Sequence, residues 1–128
     1  MEWNDSMTLG YESMDQVHRE FVGCVANLQK CADADVPAML DRMIEHLRSH
    51  FSEENELMTK HEFPPKECHI DEHAAVLRSA AEVRLCVERG DYAEARSFAI
   101  ALARWQPCKA ISLGLMRLVA APFALQVA

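Results

Sequence analysis

The stretch of sequence that decides the fold is residues 50–73, HFSEENELMTKHEFPPKECHIDEH. It contains two pairs of residues that can bind a metal ion, His50 with Glu54 and His69 with His73. The members of each pair are four positions apart, and on an α-helix such residues lie on one face with Cβ atoms roughly 5–6 Å apart. Each pair can therefore bind an ion from one side of one helix.

Phe63-Pro64-Pro65 lies between the two pairs. Prolines in this place cannot continue a helix, so the stretch predicts a helix, a sharp turn and a second helix. A single solvated His/Glu pair is common and carries little information. Two pairs joined by a turn that makes their helices antiparallel are much rarer by chance. We therefore predict a metal site in the interior between two helices.

Composition supports an all-α domain. The chain has 128 residues, half of them hydrophobic, with only four glycines, and its apolar residues recur at helical spacing. This length suits one domain with a proper core. We expect a single domain over residues 1–128, with an N-terminal arm at residues 1–14 and a tail of different composition at residues 106–128.

Charge and cysteine content exclude some classes of binding partner and favour one cellular compartment. The formal net charge is −7 without a basic cluster, which argues against nucleic acid and against an anionic membrane surface. No apolar run reaches the roughly 20 residues of a membrane span, and the acidic, polar N-terminus is unlike a secretory signal. The five cysteines are scattered without a CxxC pair. Reduced thiols and a cytoplasmic location are the simplest interpretation.

The apolar spacing predicts four helices, at about residues 15–31, 37–61, 66–88 and from residue 92 to a break at Pro107. Asp15 and Asp35 are plausible N-caps of the first two helices, and Gly90-Asp91 is a clean break between the last two. Short connections between four helices predict an up-down-up-down four-helix bundle. On the third helix we expect Leu85 on the packing side.

Four further side chains have a structural and a chemical interpretation. His18 lies beside the apolar stripe of the first helix, either as a core histidine held by Asp15 or as a metal ligand. His46 is one turn before His50, and we expect a core or supporting residue rather than a ligand. His61 is predicted at the surface. Cys68 is predicted to be a small buried residue and not a ligand, since adjacent helical residues point about 100° apart.

The chain resembles the hemerythrin family, specifically the bacterial single-domain hemerythrins. The resemblance covers residues 3–105 and is carried by Asp15-x-x-His18, His50-Phe51-x-Glu53-Glu54-x-x-Leu57-Met58, Phe63-Pro64, His69-x-x-x-His73 and Trp105. It implies a four-helix bundle with two non-haem iron ions (Fe2+/Fe3+) in its core, where O2 binds reversibly. Carried over by position, the implied metal ligands are His18 and His50 for one iron, His69 and His73 for the other, and Glu54 as a carboxylate bridge.

The physical chemistry of these residues agrees with the implied roles. Neutral imidazole and carboxylate groups suit iron, and one carboxylate has two oxygens with which to span two cations. Five polar ligands would be costly to bury in an apolar bundle without a metal. We expect Leu47, Phe51 and Val76 to line a dry pocket beside the site.

The sequence departs from the family pattern after Trp105. The family carries a histidine just after this tryptophan and an aspartate five residues later, and both are ligands. Here the segment reads QPCKAISLGLMRL, with Lys109 where the histidine is often found. The full tail at residues 106–128 has no His, Asp or Glu. This departure leaves open that only one metal, or none, is bound.

A shifted reading frame would explain the departure. A codon for Ala110 ending in C, followed by the AT of Ile111, reads CAT for histidine. A codon for Leu115 ending in G, followed by the ATG of Met116, reads GAT for aspartate in the same frame, five codons later. We hypothesise that the tail is a frameshifted hemerythrin end, which resequencing the gene would test.

Three functions follow from these observations. The first is reversible O2 binding at a di-iron site, for carriage, storage or sensing, without enzymatic turnover. The second is a di-iron oxidase or peroxidase, although such sites usually use more carboxylates and Glu-x-x-His pairs. The third is a degenerate domain that binds one metal or none.

Overall fold

The structure is a computed structural model that describes residues 12–62 and 66–105. The Phe63-Pro64-Pro65 turn, the tail at residues 106–128 and most of the predicted N-terminal arm lie outside the described residues. Pro107, Lys109 and the frameshift hypothesis fall in that undescribed tail. Residues 12–14, predicted as the end of the arm, are instead the first residues of a helix.

Four α-helices make up nearly all of the described chain: α1 Glu12–Lys30, α2 Val36–Lys60, α3 Lys66–Glu88 and α4 Tyr92–Trp105. A short 3-10 helix, Asp33–Asp35, lies in the predicted loop between α1 and α2. The described residues include no β-strand. The all-α prediction is confirmed, and the four helices begin and end within about three residues of their predicted limits.

Contacts between the helices show that consecutive helices are antiparallel. His18 near the start of α1 faces His50 in the second half of α2. Arg84 near the end of α3 pairs with Asp41 near the start of α2. Trp105 at the end of α4 contacts Glu72 near the start of α3. The predicted up-down-up-down four-helix bundle is therefore confirmed.

All four helices contribute to one hydrophobic core. Burying these side chains is the main stabilising term of the fold, at about 25 cal/mol per Å² of apolar surface. The core consists of Phe21, Val22, Val25, Leu28, Val36, Leu40, Met43, Ile44, Leu47, Phe51, Ala80, Val87, Ala95, Phe98, Ala99 and Leu102. None of the described helices is both long enough and apolar enough to cross a membrane.

Two of the predicted helix caps differ in the structure. Asp15 is buried inside α1 rather than at its N-cap, because the helix begins at Glu12. Asp35 occupies the N-cap position of α2, but its side chain makes no capping hydrogen bond. At the α3–α4 break the prediction holds. Gly90 has φ +84°, and Asp91 Oδ1 accepts a hydrogen bond from the Glu94 amide at 3.4 Å.

Two side chains of α3 are more exposed than the sequence predicts. Leu85 is 53% exposed, and Cys68 is also exposed. Only His73, Ala80 and Val87 are buried on this helix. Apolar and polar residues are poorly separated around α3, so their spacing gives the wrong side for Leu85 and the wrong environment for Cys68.

A single arginine of α4 joins the end of α1 to the loop that follows it. The guanidinium of Arg96 donates to the carbonyl oxygens of Leu28, Gln29 and Cys31, at 3.3, 3.1 and 2.8 Å. It also pairs with Asp33 Oδ1 at 2.8 Å. The last carbonyls of a helix have no partner within the helix. Arg96 satisfies those of α1 and fixes α4 against it.

Candidate metal centre

Four of the five predicted metal ligands lie together at one end of the bundle. His18 comes from α1, His50 and Glu54 from α2, and His73 from α3, and all four are buried. Each lies on the helix face that turns toward the core, because the apolar residues around it recur at the same helical spacing. The fold therefore collects, from three helices, residues that lie up to 55 positions apart in sequence.

The Glu54 carboxylate lies between imidazoles of two helices. Its Oε2 atom is 3.3 Å from His50 Nε2, and its Oε1 atom is 3.4 Å from His73 Nε2. One oxygen thus faces a histidine of α2 and the other faces a histidine of α3. The two oxygens of this one carboxylate are thus directed to different helices.

His18 brings α1 into the cluster, whereas His69 lies at its edge. The His18 and His50 rings meet edge to face, with centroids 5.8 Å apart and an interplanar angle of 87°. The His69 ring is half-buried, 6.4 Å from that of His73, and its Nδ1 lies 3.6 Å from Glu72 Oε2. The structure thus groups four predicted site residues closely and leaves the fifth beside them.

Several polar atoms in this cluster are buried without a hydrogen-bond partner. They include His18 Nε2, His50 Nε2 and Glu54 Oε2. An unsatisfied buried polar group costs about 1–3 kcal/mol, so a fold rarely keeps three at one point. A cation bound between them would accept their lone pairs and remove this cost.

The electrostatics of the cluster suit such a cation. Burial lowers the pKa of His50 from 6.5 to about 4 and also lowers the pKa of His18. Both imidazoles are therefore neutral, with a free lone pair, near neutral pH. Burial by itself raises the pKa of Glu54, but the close contact with His73 and the nearby imidazoles outweigh it, so the net shift is downward. The cluster offers neutral nitrogen donors around one anionic carboxylate.

The donor chemistry fits iron better than it fits a thiolate-preferring metal, since imidazole and carboxylate are ligands that iron accepts. As the side chains stand, no three His, Cys, Asp or Glu residues within residues 12–62 and 66–105 surround one point closely enough to hold an ion. Binding would therefore need the buried rings to turn toward a common centre.

Aromatic side chains close one side of the cluster. Phe51 stacks face to face on His73, with centroids 4.0 Å apart and an interplanar angle of 4°, and meets the Trp105 ring edge to face at 5.8 Å. Phe51 and Leu47 are fully buried, and Val76 is half-buried against the core. Of the predicted pocket residues, Phe51 thus lies directly against a candidate ligand.

Two polar residues beside the ligands were not predicted from the sequence. Asn55 Oδ1 accepts a hydrogen bond from His73 Nδ1 at 2.8 Å. Glu72 accepts the Trp105 indole N–H and lies beside His69. His69 and Glu72 are three positions apart, and this spacing could have predicted their contact on one helix face. No sequence signal connects Asn55 with His73, because their contact depends on how α2 and α3 pack.

Exposure differs among the polar residues around Glu54. Glu53 and Glu56 are exposed, whereas His61, predicted at the surface, is half-buried at the end of α2. Only one carboxylate of this acidic run therefore enters the core.

Comparison with known proteins points to one family. The family model of the hemerythrin HHE cation binding domain matches residues 9–107. This range contains all five predicted ligands and every described residue.

Two curated bacterial proteins show the same relationship. A bacteriohemerythrin from Ralstonia nicotianae is 34% identical over 105 residues, which cover 82% of this chain and 77% of that protein. A bacteriohemerythrin from Stenotrophomonas maltophilia is 28% identical over 93 residues, which cover 70% of this chain and 61% of that protein. No solved structure shows significant similarity to the chain.

Proposed function

Because this chain belongs to the hemerythrin family, we propose that it is a non-haem di-iron protein that binds O2 reversibly. The observation that carries the proposal is the group of buried, unpartnered lone pairs on His18, His50 and Glu54. They come from two helices, lie close together and include both donor types that iron accepts. Iron held there would supply the reversible coordination of O2.

The proposed ligands divide between the helices. His18 and His50 would hold one ion, and His69 and His73 would hold the other. Glu54 would span both, which is supported by the positions of its two oxygens, 3.3 Å from His50 and 3.4 Å from His73. His69 would have to turn inward from its place beside Glu72.

The surrounding apolar side chains would protect the site. Phe51 and Leu47 are fully buried, and the Trp105 ring lies against Phe51. Such a wall excludes water and keeps protons away from the ligands. A larger residue in place of Leu47 would narrow this space, so we expect Leu47→Phe to change the rate at which the oxygenated protein autoxidises.

We propose binding rather than catalysis. In the proposed site, histidines outnumber the single carboxylate four to one, whereas di-iron oxidase sites use several carboxylates with Glu-x-x-His pairs. The two curated relatives carry the name of a hemerythrin and not that of an enzyme. Carriage, storage and sensing of O2 all remain within this proposal, and turnover of peroxide would contradict it.

An alternative is a domain that holds one ion. The sequence after Trp105 offers no His, Asp or Glu, and His69 is the only proposed ligand outside the buried group. Both observations argue against the ion assigned to His69 and His73. Neither concerns the ion assigned to His18 and His50.

We also propose a cytoplasmic protein without a nucleic-acid or membrane partner. The four described cysteines are free thiols, which suits a reducing compartment. The net charge of −7 disfavours anionic partners.

The deciding experiment is iron content together with the visible spectrum, under argon and then in air. The proposal expects two irons per chain and an absorption band that appears in air and disappears again under argon. One iron per chain would support the alternative. Absence of iron, or an irreversible spectrum, would contradict O2 carriage. His50→Ala should abolish the band, whereas His61→Ala, a histidine outside the cluster on the same segment, should not.

A further inference from the structure

His46 lies beside the proposed metal centre, one helical turn before His50 on α2. Its side chain is 13% exposed, and its ring is roughly parallel to that of His50, with centroids 6.3 Å apart and an interplanar angle of 22°. On its other side the ring is 6.4 Å from Phe21. The side chain therefore fills a gap between α1 and α2 at the level of His18 and His50.

The two ring nitrogens of His46 have different environments. Nδ1 lies 3.9 Å from Glu20 Oε2, and the ring is hydrogen-bonded to the backbone of Val17. Nε2 is buried and has no partner. A histidine that only fills a core normally has its buried nitrogens satisfied.

Histidines that bind metals also have different partners at their two ring nitrogens. Such a histidine gives one nitrogen to a carboxylate or carbonyl, which fixes the ring, and the other to the metal. His73 is divided in the same way, with Nδ1 on Asn55 and Nε2 toward Glu54. His46 likewise has one nitrogen near a carboxylate, at 3.9 Å, and one buried nitrogen without a partner.

Three bare Nε2 atoms thus lie on neighbouring rings, those of His18, His46 and His50. With a metal–nitrogen distance of about 2.1 Å, two imidazoles on one ion have ring centres about 5 Å apart. The observed separations are 5.8 Å for His18 and His50 and 6.3 Å for His46 and His50. The rings would have to move closer by roughly 1 Å. Since the His46 and His50 rings are nearly parallel, at 22°, one of them would also have to rotate toward a shared ion, and histidines four apart on a helix can chelate.

We propose that His46 is a further ligand, a third imidazole for the ion held by His18 and His50. The ion would be a divalent first-row cation of the kind that prefers imidazole. This inference rests on the proposed function, since it adds a ligand to the same centre. With this ligand, α1 and α2 alone supply three imidazoles and the Glu54 carboxylate. These four groups are enough for one ion in a chain that has no His or Asp after Trp105.

The test is a titration of the full, metal-free chain with Co2+ in the presence of a phosphine reductant, followed by absorption spectroscopy. His46→Cys places a thiolate at the proposed ligand position. We expect a new thiolate-to-cobalt charge-transfer band that the original chain lacks. His61→Cys carries the same change outside the cluster and should give the spectrum of the original chain.

A second variant measures affinity. His46→Gln should weaken Co2+ binding to the tighter site by roughly ten- to hundredfold, while far-ultraviolet circular dichroism of the metal-free variant stays helical. If His46→Cys folds and binds Co2+ without the thiolate band, the inference is overturned and the di-iron proposal stands. If the original chain binds no Co2+, or if His50→Ala leaves its binding unchanged, both fall.

Discussion

Three polar side chains in contact with one another connect α2 to α3. Asn55 Oδ1 accepts from His73 Nδ1 at 2.8 Å, and His73 Nε2 then faces Glu54 Oε1 at 3.4 Å. An amide oxygen only accepts, so Nδ1 of His73 carries a proton in this contact, and Nε2 is the nitrogen that faces the cluster. In the proposed site, Asn55 would hold the ring in the orientation that presents Nε2 to a metal.

Replacing Asn55 should weaken metal binding without unfolding the chain. Asn55→Ala removes the acceptor, frees the His73 ring and should reduce Fe2+ or Co2+ affinity roughly ten- to hundredfold. Asn55→Asp keeps an acceptor and should retain most of the affinity. Asn27→Ala, an exposed asparagine on α1, is the matched control in the same titration. Equal affinities for Asn55→Ala and Asn27→Ala would show that the contact does not orient the ring.

The metal-free chain should lose stability as the pH falls from about 6.5 to about 4. The pKa of His50 is about 4 in the folded chain and 6.5 when unfolded, so between these values the unfolded chain binds more protons. Protonation therefore favours unfolding, and the full effect for this one buried group is about 3 kcal/mol. Burial lowers the pKa of His18 and His46 as well, which adds to the same trend.

Urea unfolding at a series of pH values measures this loss. His50→Gln cannot take up the proton, so its free energy of unfolding should fall less steeply than that of the original chain. His61→Gln should keep the original slope. A pH-independent free energy in the metal-free chain would contradict the assignment of His50 as a buried neutral imidazole.

Single residues show where sequence reasoning succeeds and where it stops. The burial of His18, His50, Glu54 and His73 follows from helical spacing beside apolar residues, so the sequence predicts it. The bare nitrogen of His46 does not, because it depends on Glu20 and Val17 across the α1–α2 contact.

Among the helices, α2 holds the central position. It contacts each of the other three helices, and it carries His46, His50 and Glu54 on one face at successive four-residue steps. Leu40, Met43, Leu47 and Phe51 on the same helix are fully buried or nearly so. The proposed ligands on α2 are therefore carried by a helix that packs against all three of the others.

Helix limits were predictable because they are set by local residues. Gly90, with its positive φ, ends α3 where the sequence indicates. The exposure of Leu85 and Cys68 was not predictable, because α3 lacks a well-separated apolar face and its orientation is set by packing against α2 and α4.

Two glycines should respond in opposite directions to the same substitution. Gly23 is exposed within α1, and an added Cβ would meet nothing within 4 Å, so Gly23→Ala should stabilise the chain by roughly 0.5–1 kcal/mol. Gly90 has φ +84°, a left-handed conformation that costs other residues about 1–2 kcal/mol, so Gly90→Ala should destabilise it. Chemical unfolding of the metal-free variants measures both changes. Shifts of the same sign would contradict the helix assignment at one of the two positions.

For the molecule as a whole, the metal and the fold should be linked. The metal-free bundle keeps buried polar atoms without partners, and a cation that binds only the folded chain stabilises it by mass action. At a free-metal concentration of 100 times Kd the gain is about 2.7 kcal/mol.

Thermal or urea unfolding with and without Fe2+ under argon checks this linkage. The transition should move upward with metal and return when a chelator is added. Glu54→Ala, which loses the shared carboxylate, should show little metal-dependent change. An unfolding midpoint that changes with neither metal nor chelator would contradict a metal centre inside the bundle.

The Arg96 contacts described above lie at the opposite end of the bundle from the candidate ligands. There the guanidinium ties α4 to the last carbonyls of α1, and the Arg84–Asp41 pair joins α2 and α3 at 2.7 Å. Side-chain contacts therefore hold α1 to α4 and α2 to α3 at this end of the bundle. These contacts need no metal, so the register of the helices at this end is set before any ion binds at the other.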